Sequence, residues 1–311
     1  MTINPTANSN SNSNSTKNKL DIWPLWTAVV TPFTNDNNVD FESMSKLLRM
    51  QESAKNALLL LGSTGEALTL SLEEKKKVLE NAISLKLKVP LMVGVGGINI
   101  EETVKWIDYL ETIQIDCYLM VTPLYSKPGA IGQTEWFSRL LKRVSRPTML
   151  YNIPGRTGCA LNAKTLQQLE SHPFFWSVKE ASGSTAEFHN YRQATPTISY
   201  YSGDDGMMPF FALSGAVGLV SVASNVWPKA THKYVDLCRD GRFKDILPTW
   251  KIASDSLFTT SNPVPVKALL HELGYIKTPL MRPPLSHMDL DSREKLIKAN
   301  EIIIEWERHN G

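Results

Sequence analysis

The chain has 311 residues, 42% of them hydrophobic and 21% charged, which is typical of a globular enzyme with one large domain or two ordinary ones. The formal net charge is only +2 and no stripe of lysine and arginine alternates with aromatic residues, which argues against nucleic acid as a partner. The apolar runs are too short to span a bilayer, so no membrane segment is expected. Three widely spaced cysteines suit a reducing cytoplasm and indicate neither a disulfide framework nor a zinc site.

Residues 1–20 are rich in asparagine and serine and contain neither an apolar core nor an arginine. This composition matches neither a secretory signal nor a transit peptide. It predicts a disordered tail that does not contribute to the fold.

From residue 21 to residue 226 the chain alternates between short apolar, β-prone runs and amphipathic helical patterns. Asp40 is expected to cap the first helix, and Ser71 with Glu74 is expected to form a capping box on the second. Eight alternations of this kind predict the α/β class and a (β/α)8 TIM barrel. The predicted strands are 26–31, 57–61, 89–93, 116–121, 147–151, 174–178, 198–201 and 217–222.

Residues 227–311 have the pattern of further helices, of which the first completes the barrel. This part is too short and too helical for an independent second domain. We therefore expect a C-terminal helical extension of the barrel.

A single lysine, Lys179, follows the apolar run of the sixth predicted strand, just before a Ser/Gly turn. The carboxyl ends of the strands form the ligand-binding face of a barrel. Burial there lowers the pKa of a lysine and leaves part of it as a nucleophilic amine, which indicates Schiff-base formation with a carbonyl substrate. The alternative is a lysine that ends a strand and extends its ammonium to water.

Tyr151 ends the fifth predicted strand, directly beside the strand that carries Lys179, and its phenol could relay protons there. Arg156 follows on a loop with proline and glycine, and its planar guanidinium suits a substrate carboxylate. The alternatives are a core tyrosine and a surface ion pair.

Three glycine- or aspartate-containing loops follow other strands. Ser63 and Thr64 lie between glycines that let backbone N–H groups approach a small carboxylate, although a simple tight turn has the same pattern. Residues 94–97 lack the spacing of a dinucleotide loop, so close passage of the backbone along the barrel wall is the better explanation. Asp204 and Asp205 could bind a metal, but their position before a helix favours capping.

Five of these segments together resemble the dihydrodipicolinate synthase family of pyruvate-dependent class I aldolases, which also includes N-acetylneuraminate lyase. They are G-S-T-G-E at 62–66, Y-N-I-P-G-R-T-G at 151–158, V-K-E-A-S-G at 178–183, G-D-D at 203–205 and N-P-V-P-V-K at 262–267. The resemblance extends from about residue 23 to the C-terminus.

The resemblance implies a role for several residues. Lys179 is similar to the Schiff-base lysine and Tyr151 to the proton-relay tyrosine of the family. Thr64 would link Tyr151 to Tyr125, which in the family enters from a neighbouring subunit.

It also implies how the substrates are held. Ser63 and Thr64 would bind the pyruvate carboxylate, and Arg156 would bind the carboxylate of the second substrate. Val220 occupies the position where a main-chain carbonyl faces the pyruvyl group. Ser63 departs from the synthases, which usually have a second threonine there, so this loop does not decide the substrate.

The activity implied is the condensation of pyruvate with L-aspartate 4-semialdehyde to 4-hydroxy-tetrahydrodipicolinate, in lysine and diaminopimelate biosynthesis. It would use a lysine–pyruvate imine and no metal or organic cofactor, in a cytoplasmic homotetramer built as a dimer of dimers. The nearest alternative is a sugar-acid aldolase such as N-acetylneuraminate or 2-keto-3-deoxygluconate lyase. An alternative of another class is a non-catalytic barrel that binds pyruvate-like effectors.

Overall fold

The computed structural model describes residues 19–310, except for the side chain of Asp245. The predicted tail lies outside the described residues as far as residue 18, while Leu20 is buried beneath the barrel with Trp23 and Trp176. Within the described part, no helix is long and apolar enough to cross a membrane.

Eight parallel strands close into a barrel in which each strand pairs with the next and the first with the last. This confirms the predicted (β/α)8 barrel. The strands are β1 (Leu25–Ala28), β2 (Ala57–Leu60), β3 (Leu91–Val95), β4 (Cys117–Val121), β5 (Thr148–Asn152), β6 (Phe175–Glu180), β7 (Ser199–Ser202) and β8 (Gly218–Ser221).

One helix of more than a single turn follows each strand and packs on the outside of the barrel. These helices are Phe41–Ser53, Leu72–Ser84, Ile100–Glu111, Ala130–Leu141, Ala163–Leu169, Thr185–Ala194, Met208–Leu213 and Pro228–Arg239, with a short turn at Pro154–Thr157. Asp40 accepts a hydrogen bond from the backbone of Ser43, and Ser71 forms the predicted capping box with Glu74.

Several strand boundaries differ from the prediction, and two of the differences have a clear physical cause. β3 begins at Leu91, because Pro90 has no N–H for the ladder and keeps Val89 out of the strand. β6 extends through Lys179 and Glu180, since the barrel supplies paired backbone partners beyond the apolar run.

Gly94 shows why glycine is required in β3. A Cβ at this position would lie 2.1 Å from the carbonyl oxygen of Leu61. The prediction that the backbone passes close to the barrel wall is therefore confirmed.

The C-terminal residues form three more helices, Thr249–Leu257, Val264–Glu272 and Glu294–Asn310. Trp250 stacks on Tyr234 with ring centroids 4.2 Å apart and contacts Trp306 edge-on. The second of these helices matters for function, because it starts beside the loop that follows β2.

Candidate active site

Lys179 lies inside the barrel near the carboxyl end of β6. Its partners in the ladder are Tyr151 on β5 and Tyr201 on β7, and the residue is only 5% exposed. The alternative in which the ammonium extends to water is therefore wrong.

Gly203 makes room for this lysine at the end of β7. A Cβ there would lie 2.8 Å from Cε of Lys179 and 2.8 Å from Cβ of Ala181, so any larger residue would displace the amine. The G-D-D segment in the sequence marks a turn at this position, but only the structure shows that its glycine leaves space for the side chain of Lys179.

Burial lowers the pKa of Lys179 to about 7. The carboxylate of Asp205 opposes this shift, while the guanidinium of Arg156 adds to it. With a pKa near 7, about half of the amine is neutral at neutral pH, against less than about 0.1% for an ordinary lysine.

This pKa predicts how imine formation depends on pH. The neutral amine is the nucleophile, so the rate of imine formation with pyruvate should rise about tenfold between about pH 6 and pH 8 and then level off. The measurement is the initial rate of borohydride-trapped adduct across this range. A rate that keeps rising by a factor of about 10 per unit up to about pH 10 would show a lysine of ordinary pKa.

The ring of Tyr151 lies beside this amine. The ammonium nitrogen lies 4.2 Å from the centre of the Tyr151 ring. Burial raises the pKa of Tyr151 to about 12, against smaller opposing effects of Arg156 and Ser63. The phenol is therefore protonated at neutral pH and can donate a proton beside the lysine.

The two hydroxyls of the loop after β2 have different surroundings. Hydrogen bonding from the Ser63 side chain lowers the pKa of Tyr151, which places that hydroxyl near the phenol. Thr64 is buried, and its hydroxyl accepts a hydrogen bond of 2.9 Å from the side-chain amide of Asn262. Thr64 is thus held by Asn262, and its link to Tyr151 and Tyr125 stays a prediction.

Arg156 lies on the short turn after β5, at the entrance to the barrel. Its guanidinium donates a hydrogen bond of 2.8 Å to the backbone oxygen of Asn262 and forms no ion pair with a described side chain. Its charge lowers the pKa of both Lys179 and Tyr151, which shows that it lies within electrostatic reach of both. The surface ion pair considered above is therefore wrong.

Asp204 and Asp205 have separate structural tasks. Asp204 accepts hydrogen bonds from the backbone of Gly206 and Met207 and so stabilises a turn; the helix Met208–Leu213 begins after Met207 without a side-chain cap, so the predicted capping by Asp204 is wrong. Capping is wrong for Asp205, which is buried and accepts hydrogen bonds from the Ser221 hydroxyl and the backbone beyond β8. Burial raises its pKa to about 6.

Two candidate residues differ in their surroundings. Val220 is buried on the inside of β8, in the same apolar cluster as Tyr151. Tyr125 is 90% exposed and has a left-handed backbone, so its ring does not belong to the buried group around Lys179. A residue that sequence reasoning left without a role is Asn262, which contacts both the Thr64 loop and Arg156.

The fold and this site together define a class. A barrel that buries a partly neutral lysine and a protonated tyrosine at the carboxyl ends of its strands is suited to lyase chemistry through an amine.

Comparisons with known proteins give the particular family. Residues 22–302 match the model of the dihydrodipicolinate synthetase family. The chain is 46% identical to a 4-hydroxy-tetrahydrodipicolinate synthase of Wolbachia pipientis, over 91% of this chain and 96% of the relative. It is 43% identical to the corresponding protein of Francisella philomiragia, over 92% and 97% of the two chains.

A solved structure shows the same architecture. The dihydrodipicolinate synthase of Acinetobacter baumannii, in complex with pyruvate, superposes with a TM-score of 0.85 at 31% identity, covering 91% of this chain and 99% of that one. The chain belongs to the dihydrodipicolinate synthetase family and is a lyase of the class I aldolase type.

Proposed function

We propose that this protein condenses pyruvate with L-aspartate 4-semialdehyde through an imine on Lys179. The observation that carries the proposal is the buried amine of Lys179, with a pKa lowered to about 7, beside the phenol of Tyr151. The family and the activity for which its relatives are named support the two substrates.

The reaction begins with attack of the neutral amine on the C2 carbonyl of pyruvate. Tyr151 protonates the carbonyl oxygen, water leaves, and a protonated imine forms. The imine nitrogen withdraws electrons from C3, so that loss of a C3 proton gives an enamine without any other electron sink. Ser63 is the hydroxyl that passes the C3 proton to and from Tyr151, and Thr64 holds the pyruvate carboxylate.

The enamine carbon then attacks the aldehyde carbon of the semialdehyde, and the aldehyde oxygen takes up a proton. The amino group of the second substrate attacks the former C2 of pyruvate, which closes the ring and releases the lysine amine. Arg156 receives the carboxylate of this substrate at the entrance, and the main-chain carbonyl of Val220 faces the pyruvyl group.

The sugar-acid lyases are the alternative that the site disfavours. A long polyol is held best by neutral hydroxyl and amide partners, whereas the semialdehyde carries its own carboxylate. Arg156, which has no carboxylate partner among the described side chains, is suited to the latter.

Pyruvate consumption with each aldehyde tests the proposal. The protein should consume pyruvate with L-aspartate 4-semialdehyde and not with N-acetylmannosamine or glyceraldehyde, the aldehydes of the two sugar-acid lyase reactions. Consumption with a sugar aldehyde alone would assign the protein to the alternative.

We further propose a cytoplasmic homotetramer, a dimer of dimers, in which Tyr125 completes the site of a neighbour. Apolar side chains are exposed on adjacent loops at the mouth of the barrel: Leu68 and Leu72 after β2, Ile98 after β3 and Tyr125 after β4. A second copy of the chain that covers this face would remove their apolar surface from water.

The shared site predicts the effect of Tyr125→Phe. Loss of the hydroxyl should slow turnover by about tenfold or more without changing the mass of the particle in solution. Light scattering and steady-state rates measure the two effects, and Tyr109→Phe on an outer helix is the matched control. Full activity of a sample shown to be monomeric would contradict the shared site.

A further inference from the structure

A buried ion pair lies directly behind the loop that carries Ser63 and Thr64. The ammonium of Lys267 and the carboxylate of Glu66 are 2.7 Å apart, and their side chains are 0% and 1% exposed. Glu66 ends the loop in a left-handed backbone conformation, and Lys267 belongs to the helix Val264–Glu272.

Both charged groups have further polar partners. The second carboxylate oxygen of Glu66 accepts a hydrogen bond of 3.0 Å from the backbone of Arg282. Lys267 donates a second hydrogen bond, of 2.9 Å, to the backbone oxygen of Thr31, and its nitrogen lies 4.2 Å from the ring centre of Phe33.

Stability alone does not account for such a pair. Two charges lose their hydration on burial, and a pair of apolar residues of the same size often serves the fold as well or better. Burial lowers the pKa of Lys267 to about 8 even with Glu66 beside it, which shows how strong the desolvation is. A hydrogen-bonded ion pair fixes the direction and the distance between its two side chains, whereas a contact between apolar groups does not.

The ion pair fixes the geometry of the loop that carries Ser63 and Thr64. The backbone N–H of Glu66 donates to the carbonyl of Ser63 at 3.1 Å, which closes the turn that carries the Ser63 hydroxyl. The Thr31 hydroxyl donates to the carbonyl of Gly65 at 2.7 Å, and the carbonyl of the same Thr31 accepts from Lys267. The ammonium of Lys267 thus binds both Glu66, at the end of the loop, and Thr31, which supports the loop from the segment after β1.

The same helix contacts the loop at a second point. Asn262, just before the helix, donates to the hydroxyl of Thr64, while Lys267 holds Glu66. The helix and the residue just before it therefore hold the loop on both sides of Gly65.

We propose that Glu66 and Lys267 are positioning residues for the proton transfers at C3 of the bound pyruvyl group. They hold the loop that carries the Ser63 hydroxyl, through the backbone hydrogen bond between Glu66 and Ser63, and act on the reaction only through this loop. This inference rests on the proposed function, because the proton transfers at C3 are a step of the proposed imine mechanism.

The inference predicts a separation of two steps. Attack of Lys179 on pyruvate depends on β6 and should survive loss of the pair. Exchange of the C3 protons depends on the alignment of Ser63 with Tyr151, and an error of about 1 Å in such an alignment costs about 100-fold in rate.

The experiment follows both steps with pyruvate alone. NMR in D2O gives the rate at which the methyl protons exchange, and borohydride gives the yield of trapped adduct. The variants are Glu66→Gln, Lys267→Met and the double variant Glu66→Gln/Lys267→Met, with thermal unfolding recorded for each. Glu111→Gln is the matched control, since Glu111 pairs with Arg146 at the opposite end of the barrel.

The single variant Lys267→Met leaves a buried carboxylate unpaired and should unfold at a lower temperature, whereas the double variant recovers stability because no lone charge remains. Methyl-proton exchange should stay about 100-fold slow in both, with trapping preserved. Recovery of exchange together with stability in the double variant would overturn the inference. If the wild-type protein traps no pyruvate, the proposed function itself fails.

Discussion

Lys179→Arg should reduce condensation of pyruvate with L-aspartate 4-semialdehyde by more than about 1,000-fold, because a guanidinium with a pKa above about 12 offers almost no neutral nitrogen. The wild-type amine is about half neutral at neutral pH, since burial lowers its pKa to about 7. Pyruvate consumption measures the loss, and borohydride should trap no adduct on the variant.

Two controls separate this loss from damage to the fold. Lys179→Met should be equally inactive yet at least as stable as the wild type, because it removes a buried amine and keeps an unbranched apolar chain of similar length. Lys164→Arg, on an exposed helical position, should keep full activity. Appreciable turnover by Lys179→Arg would show that another group carries the reaction.

Arg156→Ala should weaken use of the semialdehyde by roughly 30- to 1,000-fold, since a charge-assisted contact with a carboxylate contributes on the order of 2–4 kcal/mol. Imine formation with pyruvate should remain within a few-fold of the wild type. The measurement is kcat/KM for the semialdehyde beside the rate of borohydride trapping with pyruvate alone.

The pH of this comparison matters. The charge of Arg156 helps to lower the pKa of Lys179, so its removal raises that pKa and leaves less neutral amine near pH 7. Trapping is therefore compared above about pH 8, where most of the amine is neutral in the wild type. Arg156→Lys keeps the charge without the planar guanidinium, so its kcat/KM for the semialdehyde should lie between those of the wild type and Arg156→Ala. Equal losses in semialdehyde use and in imine formation would assign Arg156 to the fold.

The barrel could be predicted from sequence because its signal repeats. Eight apolar runs alternate with helical patterns, and the neighbourhood of Tyr151 and Lys179 followed from consecutive parallel strands, as their pairing confirms. The strand ends were less predictable. Lys179 and Glu180 belong to β6 although neither is a β-former, because tertiary pairing outweighs local preference.

Side-chain directions in loops could not be predicted. Ser63 and Thr64 are adjacent hydroxyl residues, and only the folded turn shows that Ser63 lowers the pKa of Tyr151 while Thr64 accepts a hydrogen bond from Asn262. The buried partnership of Glu66 with Lys267 joins residues about 200 positions apart, a pairing that no local pattern encodes.

The most direct test of the account is to add borohydride to the wild-type protein with pyruvate and to map the adduct by peptide mass spectrometry. We expect the peptide that contains Lys179, and no other, to gain the mass of one pyruvic acid less one oxygen atom, as reduction of the imine requires. An adduct on a different lysine, or no adduct at all, would contradict the assignment of Lys179 as the nucleophile.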